Sequence, residues 1–312
     1  MFEPKRLMFI FLVVGLALIG SPFRSQEVGQ ADRRQWKIVF DSKRDGNQEV
    51  YSMDPDGSNQ QRLTHTPGRG KHSGKPSWSP DGRRIAFVSN RDCNWEIYVM
   101  DPDGSNVQRL TENESDDIYP TWSPDGKKIA FGSNRDGNLK VYEIYVMDAD
   151  GSNGHRLTHT SGRGESSENP DWSPDGKRIA FGSYRDEGWG IYVMDVDGSN
   201  VQRLTYTPGK ESGNPAWSPD GKRIAFESSR DDNWEIFVMD SDGSNVHRLT
   251  GTKGRDRGSE NPDWSPNGKK IVFGSARPGK GEENFEIYVM DADGSNVQRL
   301  TFNQAWDGHP NW

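Results

Sequence analysis

The chain of 312 residues is long enough for one large or two ordinary domains, yet only 31% of it is hydrophobic, its mean hydropathy is -0.95, and it holds 35 Gly and 18 Pro. Eleven Trp, nine Tyr and thirteen Phe exclude a disordered chain, which has no core to hold them, and point to a turn-rich all-β protein. With 39 Lys and Arg against 47 Asp and Glu, the net charge of -8 leaves no basic excess to neutralise a phosphate backbone, so nucleic acid is not an expected partner; the single cysteine, Cys93, excludes a disulfide framework and any multi-cysteine metal site.

In chain order, residues 1–25 come first: Lys5 and Arg6 precede the apolar run Leu7 to Ile19, which is followed by the small residues Gly20 and Ser21. This is the layout of a cleaved secretory signal peptide, and the run is shorter than the roughly 20 apolar residues a membrane-spanning helix needs. Leu18-Ile19-Gly20-Ser21 carries serine where a lipoprotein signal carries its lipidated cysteine, so no lipid anchor is expected. The mature protein is expected to be periplasmic or secreted, with no membrane insertion after cleavage. A short linker over residues 26–35 leads to the repeats.

From about Trp36 onward the chain repeats itself. Trp-Ser-Pro-Asp-Gly recurs with Trp at 78, 122, 172, 217 and 264, with Asn267 replacing Asp in the last, and Trp312 begins a sixth copy. Met-Asp-x-Asp-Gly-Ser-Asn recurs with its first Asp at 54, 101, 148, 195, 240 and 291. Each unit reads as four short strands: a (Pro-x-Trp-Ser), b (Lys-Ile-Ala-Phe-x-Ser), c (Glu-Ile-Tyr-Val-Met-Asp) and d (Arg-Leu-Thr). Ser79-Pro80-Asp81-Gly82 and Asp54-Pro55-Asp56-Gly57 place Pro, a capping Asp and a positive-φ Gly where hairpin turns a–b and c–d need them. Strands b and c are apolar on both faces, so every sheet must be sandwiched between two others, as in a β-propeller. The first unit has b, c and d without a, and the last ends on a spare a at His309-Pro310-Asn311-Trp312. The expected fold is therefore one six-bladed propeller over residues 36–312, closed by the two ends in one blade.

The units Pro-x-Trp-Ser-Pro-Asp-Gly-Lys-Lys-Ile-Ala-Phe and Ile-Tyr-Val-Met-Asp-x-Asp-Gly-Ser-Asn resemble the propeller repeats of the TolB family, related to those of prolyl-oligopeptidase-type enzymes. The Gly-His and Trp-Asp signature of WD repeats is lacking. The resemblance implies an extracytoplasmic binding platform. It differs from TolB in having no room for that family's N-terminal α/β domain between the leader and the first strand, and from the peptidases in having none for a hydrolase domain.

Several patterns invite a chemical reading. The Asp-x-Asp-Gly-Ser-Asn loop lacks the acids of an EF-hand, since Val146 and Leu157 stand where the third unit would need them, so it reads as a structural hairpin and not a calcium loop. His155 and His159 lie roughly 13 Å apart on a strand, too far to share a metal. His72 and His309 enter adjacent blades and are expected to approach one another. An aromatic precedes strand c in five units (Trp95, Tyr142, Trp189, Trp234 and Phe285), a ring on which carbohydrate could stack, although period-2 alternation favours packing between blades. Arginines 44, 91, 135, 185, 230 and 277, each two residues after a Ser, read as scaffold.

Two functions compete. The first is a non-catalytic scaffold, with no cofactor and no metal, docking a protein on the face built from the variable d–a and b–c connections. Its expected contact residues are Arg69, Lys71, His72, Glu114, Asp116, Asp117, Tyr119, Trp306 and His309. The segment from Thr64 to Pro76 is basic (Arg69, Lys71, Lys75) and that from Thr111 to Pro120 acidic (Glu112, Glu114, Asp116, Asp117), which makes a polarised rim. The second is a calcium-dependent hydrolase or lactonase, with Asn169, Asn214, Asn261, Glu168, Glu260, Asp171 and Asp263 converging on a central channel. No Gly-x-Ser-x-Gly nucleophile motif is present.

Overall fold

The computed structural model describes residues 37–136, 141–160, 164–186, 188–252, 258–276 and 285–312. The leader and linker assigned to residues 1–35, and Arg277, lie outside the described residues.

The central residues of strands b and c are buried in every unit, which follows from their two apolar faces. Ile85 to Ser89 pairs antiparallel with Glu96 to Met100, setting Phe87 opposite Tyr98, and the same Phe–Tyr or Phe–Phe pair recurs in each unit. Six four-stranded antiparallel sheets result, each running from a to d. Blade 1 combines strands Ile38–Ser42, Glu49–Met53 and Gln61–Arg62 with the last strand of the chain, Asp307–Asn311; blades 2 to 6 span residues 73–109, 117–156, 166–203, 212–248 and 258–299. The expected all-β, six-bladed propeller with a composite closing blade is thus observed. Trp306 O accepts from Lys43 N at 3.0 Å and Arg44 forms an ion pair with Asp307 at 2.9 Å, which extends the seal beyond the strand itself.

The core lies between blades. Ala130, Ile144 and Val146 of blade 3 pack on Trp172, Ile179, Phe181, Tyr192 and Met194 of blade 4, and Val272, Ile287 and Val289 of blade 6 pack on Ile38, Phe40, Tyr51 and Met53 of blade 1. One face of each sheet is thus small and aliphatic, and the face it meets is large and aromatic. The turns close as the sequence implies. In blade 2 Gly82 N donates to Ser79 O at 2.8 Å and Ser79 Oγ to Asp81 Oδ1 at 2.7 Å, while Asn106 Nδ2 donates to Asp101 Oδ2 and Ser105 N to Asp103 Oδ1.

A second device is less visible in sequence. Glu96 opens strand c fully buried, and it accepts from Arg109 at 2.9 Å, Thr111 at 2.5 Å and the backbone of Asn113 at 2.9 Å, clasping the two-residue strand d to the sheet. Glu49, Glu143 and Glu286 repeat the arrangement, whereas blade 4 has Gly190 there and Arg203 donates instead to Asp186 O. The arginines after strand b are also scaffold: Arg91 Nε donates to Ser89 Oγ at 3.0 Å with its guanidinium over the rings of Phe87 and Tyr98.

Two outcomes follow. Deleting residues 305–312 removes the innermost strand of blade 1 and its ties, so the melting temperature is expected to fall sharply; an unchanged thermal unfolding curve would contradict closure. Gly104 (φ +85°) lies against the preceding blade, where an added Cβ would sit 2.4 Å from Leu63 O, whereas Gly82 (φ +65°) faces open space. Gly104→Ala is therefore expected to cost clearly more than Gly82→Ala, beyond the ~1 kcal/mol that a positive φ alone imposes, as measured by denaturant titration of both variants.

Candidate functional site

The six strands a line a central channel, and each carries a proline preceded by a residue in the left-handed region: Lys75, Tyr119, Asn169, Asn214, Asn261 and His309, with φ between 43° and 56°. The pairing with strand b slips at this point, so each forms a bulge that re-aims the residue before the proline. Asn tolerates this conformation through its short polar side chain; Lys, Tyr and His adopt it less readily. Together with the residues flanking the prolines, these six line a cavity of about 130 Å³.

The wall is rich in carboxylates. Asp41 accepts from Lys75 N at 2.9 Å, from Gln48 Nε2 at 2.7 Å and from His309 Nδ1 at 3.1 Å, and Glu227 accepts from Asn261 N at 2.8 Å. Lys75 places its ammonium 3.2 Å from the centre of the Tyr119 ring. Burial pushes this ammonium down to about 8, against the pull of Glu168, Asp41 and Asp116, and it raises Glu168 and Glu227 above the usual carboxylate range. Two residues further along strand a, Asp171 Oδ2 accepts from Trp217 N and Asp263 Oδ2 from Trp312 N, both at 2.7 Å, tying each of these blades to the next. Burial raises Asp171 to about 7 and Asp263, which also faces the charge of Asp171, to about 8. Asn311 makes the equivalent tie from blade 1 to Trp78 N at 2.8 Å.

The rim differs in part from its sequence reading. Arg69 and Glu114 are exposed at the connections as expected. Lys71 is half-buried, with Nζ on Asn90 O, and Asp116 accepts from Trp95 N. Asp117 has no exposed surface and forms an ion pair with Arg135 at 2.8 Å, so it serves the scaffold and is out of a partner's reach. Lys75, Tyr119 and His309 belong to the channel wall. His72 and His309 are joined only through intermediaries: His72 accepts from Gln48 N, and the Gln48 side chain holds the Asp41 that binds His309. Trp306 is half-buried, edge-on to His309 and under Lys43. Trp95 and Tyr142 pack on the blade 2–blade 3 core and Phe285 is buried, which supports inter-blade packing for that series. The channel brings Asn169, Asp171, Asn214, Asn261 and Asp263 together, but among the described residues no three His, Cys, Asp or Glu converge closely enough to hold a metal ion. Sequence reasoning passed over Tyr184, Tyr206 and Phe302, which are exposed on the variable-connection face; Tyr206 and Phe302 stand where other units carry His65, Glu112, His159 and Gly251 after the Thr of strand d, and that variation was the available signal.

The raised carboxyls of Asp171 and Asp263 have a consequence for stability. In the unfolded chain they ionise near the ordinary aspartate value of 3.8, whereas in the folded ring they hold their protons up to about 7 and 8. Between those limits the folded state binds more protons, so their contribution is most favourable at the acid end and is lost as pH rises through the folded values. Asp171→Asn and Asp263→Asn keep the acceptor that Asn311 shows to be sufficient. Each is expected to raise the melting temperature by several degrees at pH 8, with the gap narrowing steadily towards pH 5 in a pH series of thermal melts.

A family model described as the TolB beta propeller domain matches residues 68–160 and 140–312. TolB from Acinetobacter baumannii superposes with a TM-score of 0.74 at 26% identity over 88% of this chain, which spans 66% of that protein's length. A putative TolB from Agrobacterium tumefaciens gives a TM-score of 0.67 at 26% identity, covering 85% of this chain and 88% of its own. An oligogalacturonate lyase from Vibrio parahaemolyticus, 16% identical with a TM-score of 0.58 over 86% of this chain and 75% of its own, shares the fold alone. No curated protein sequence matches. With the repeats, the ring and the family model in agreement, the chain belongs to the TolB β-propeller family.

Proposed function

We propose that the protein is an extracytoplasmic, non-catalytic scaffold that docks a protein on the face formed by the b–c and d–a connections. The observation that carries this reading is the placement of exposed aromatics. Phe302 is 74% and Tyr206 60% exposed, and with Tyr184 they are the exposed aromatics among the described residues, all at that face. Each of the first two lies against an arginine of strand d, Arg299 or Arg203, which holds the ring in place for a partner at little further entropic cost. Arg69 and Glu114 supply charge of both signs nearby. Opposite, the a–b and c–d turns bond largely to themselves and differ little from blade to blade, as elements of a frame do. Membership of the TolB family supports a binding role, and the leader-like residues 1–25 support export.

Capture of partners from the native envelope fraction tests the docking face. Phe302→Ala with Tyr206→Ala, or Glu114→Lys, is expected to weaken capture severalfold while the melting temperature stays within a few degrees. Asp103→Lys and Asp197→Lys, on the opposite face, are expected to leave it unchanged. Equal losses from both faces would refute the assignment. For export, mass spectrometry of the product from a secreting host is expected to find a new N-terminus between about Ser21 and Ala31, and intact Met1 in a membrane fraction would contradict it.

A further inference from the structure

We propose that the central channel, which Lys75 also lines, is a binding site for a primary alkylammonium group held by Asp171 and Asp263. The inference is independent of the docking face, because it rests on the interior of the ring. Its first support is unbalanced charge. Asp171 and Asp263 line the channel, Glu168 precedes the channel-lining Asn169, and Glu227 accepts from the backbone of Asn261; among the described residues none of the four forms a salt bridge, whereas Asp41, behind Lys75, pairs with His309. A carboxylate withdrawn from water without a cation is costly; Glu227 is buried, and Glu168, Asp171 and Asp263 are partly so.

The repeats show that two of these charges are not required by the fold. Asn311 occupies in blade 1 the place of Asp171 in blade 4 and Asp263 in blade 6, and its amide oxygen makes the same bond to the next tryptophan. A neutral side chain therefore suffices for the tie; beyond it Asp263 accepts from Asn311 Nδ2 at 3.1 Å and Asp171 from Thr121 Oγ1 at 3.5 Å, contacts with neutral groups that leave the acids' charge without a cation. Their upward pKa shifts agree with carboxylates that lack a counter-ion.

The chain itself displays the chemistry the channel takes. Lys75 stands where blades 4, 5 and 6 use asparagine, in a backbone conformation that suits asparagine better, and its ammonium lies on the Tyr119 ring without a carboxylate ion partner. A cation is thus already accommodated in the channel wall, and among the described residues Asp171 and Asp263 have no cation in salt-bridge reach. The Asn169, Asn214 and Asn261 carboxamides complete the ring, and Asn169 Oδ1 has no hydrogen-bond partner. An ammonium offers three N–H donors to such a set of oxygens. The cavity of about 130 Å³ is large enough for several waters, or for a short alkyl chain in their place. A metal ion fits less well, because among the described residues no three His, Cys, Asp or Glu converge.

Isothermal calorimetry on the purified full chain with butylamine and 1,4-diaminobutane tests the proposal. Saturable binding is expected, weakened at least about tenfold by Asp171→Asn with Asp263→Asn and tightened severalfold by Lys75→Asn, which removes a like charge and installs the residue three other blades use. Thermal melts establish that the variants fold, and the single Asp263→Asn serves if the double variant does not. Tighter binding of the diamine would identify a free diamine reaching both carboxylates; equal binding of the two amines would identify a single ammonium, such as a lysine side chain. No binding of either amine to the wild type or to Lys75→Asn would overturn the proposal. So would binding indifferent to the aspartate substitutions, or displacement of the amine by calcium chloride at higher affinity.

Discussion

No blade of this protein can be stable alone, because both faces of its sheet are apolar, and everything else in the structure follows from satisfying those faces. An open row of six sheets would leave two large apolar faces in water. At about 25 cal/mol per Å² even one is a heavy cost for a chain that is only 31% hydrophobic. Closing the row into a ring removes both. The seal must then be made by the chain ends, which accounts for the last strand, Asp307–Asn311, lying beside Ile38–Ser42 at the other end of the sequence.

A ring closed in this way has no spare motion with which to organise a site, so specificity has to be written onto a fixed frame. The frame is made by what recurs: the Phe–Tyr pairs, the arginine stacked on them, the clasping glutamate, and glycines such as Gly104 that let one blade's turn meet the preceding blade's backbone. Against that background a departure from the repeat stands out, because the other blades show what the fold would accept. Gly190 in place of the clasping glutamate is a departure that the structure absorbs locally, as Arg203 finds another acceptor. Lys75, Tyr119 and His309 are different, since each holds a conformation that asparagine would hold more easily.

Much of the fold was legible because its signals are local and repeated six times. The Ser-Pro-Asp-Gly and Asp-x-Asp-Gly-Ser-Asn turns fix hairpins by their own chemistry, and the alternation in strands b and c fixes two buried faces. The composite blade could be counted from one missing and one spare strand. The site was harder to read, because burial there depends on the ring and not on the segment. Asp116 and Asp117 are consecutive acids in a connecting segment, which ordinarily means solvent. The first instead caps the backbone of Trp95, and the second is buried against Arg135, eighteen residues later and just past the end of the neighbouring strand. Tyr119 reads as a loop aromatic until the bulge before Pro120 turns it into the channel.

The same ring geometry sorts the acidic residues into two populations. Turn aspartates such as Asp103 and Asp197 are held below the ordinary carboxylate range by a serine hydroxyl and a backbone N–H of their own loop, so their charge is stabilised from within. Glu168, Asp171, Glu227 and Asp263 are raised above it by burial, so their charge is stabilised by little. A formal charge of -8 therefore says little about where a cation would gain. An approach to the turn face meets carboxylates already engaged. An approach along the axis meets carboxylates whose ionised form lacks a counter-ion, and there a single ammonium changes the electrostatic energy most.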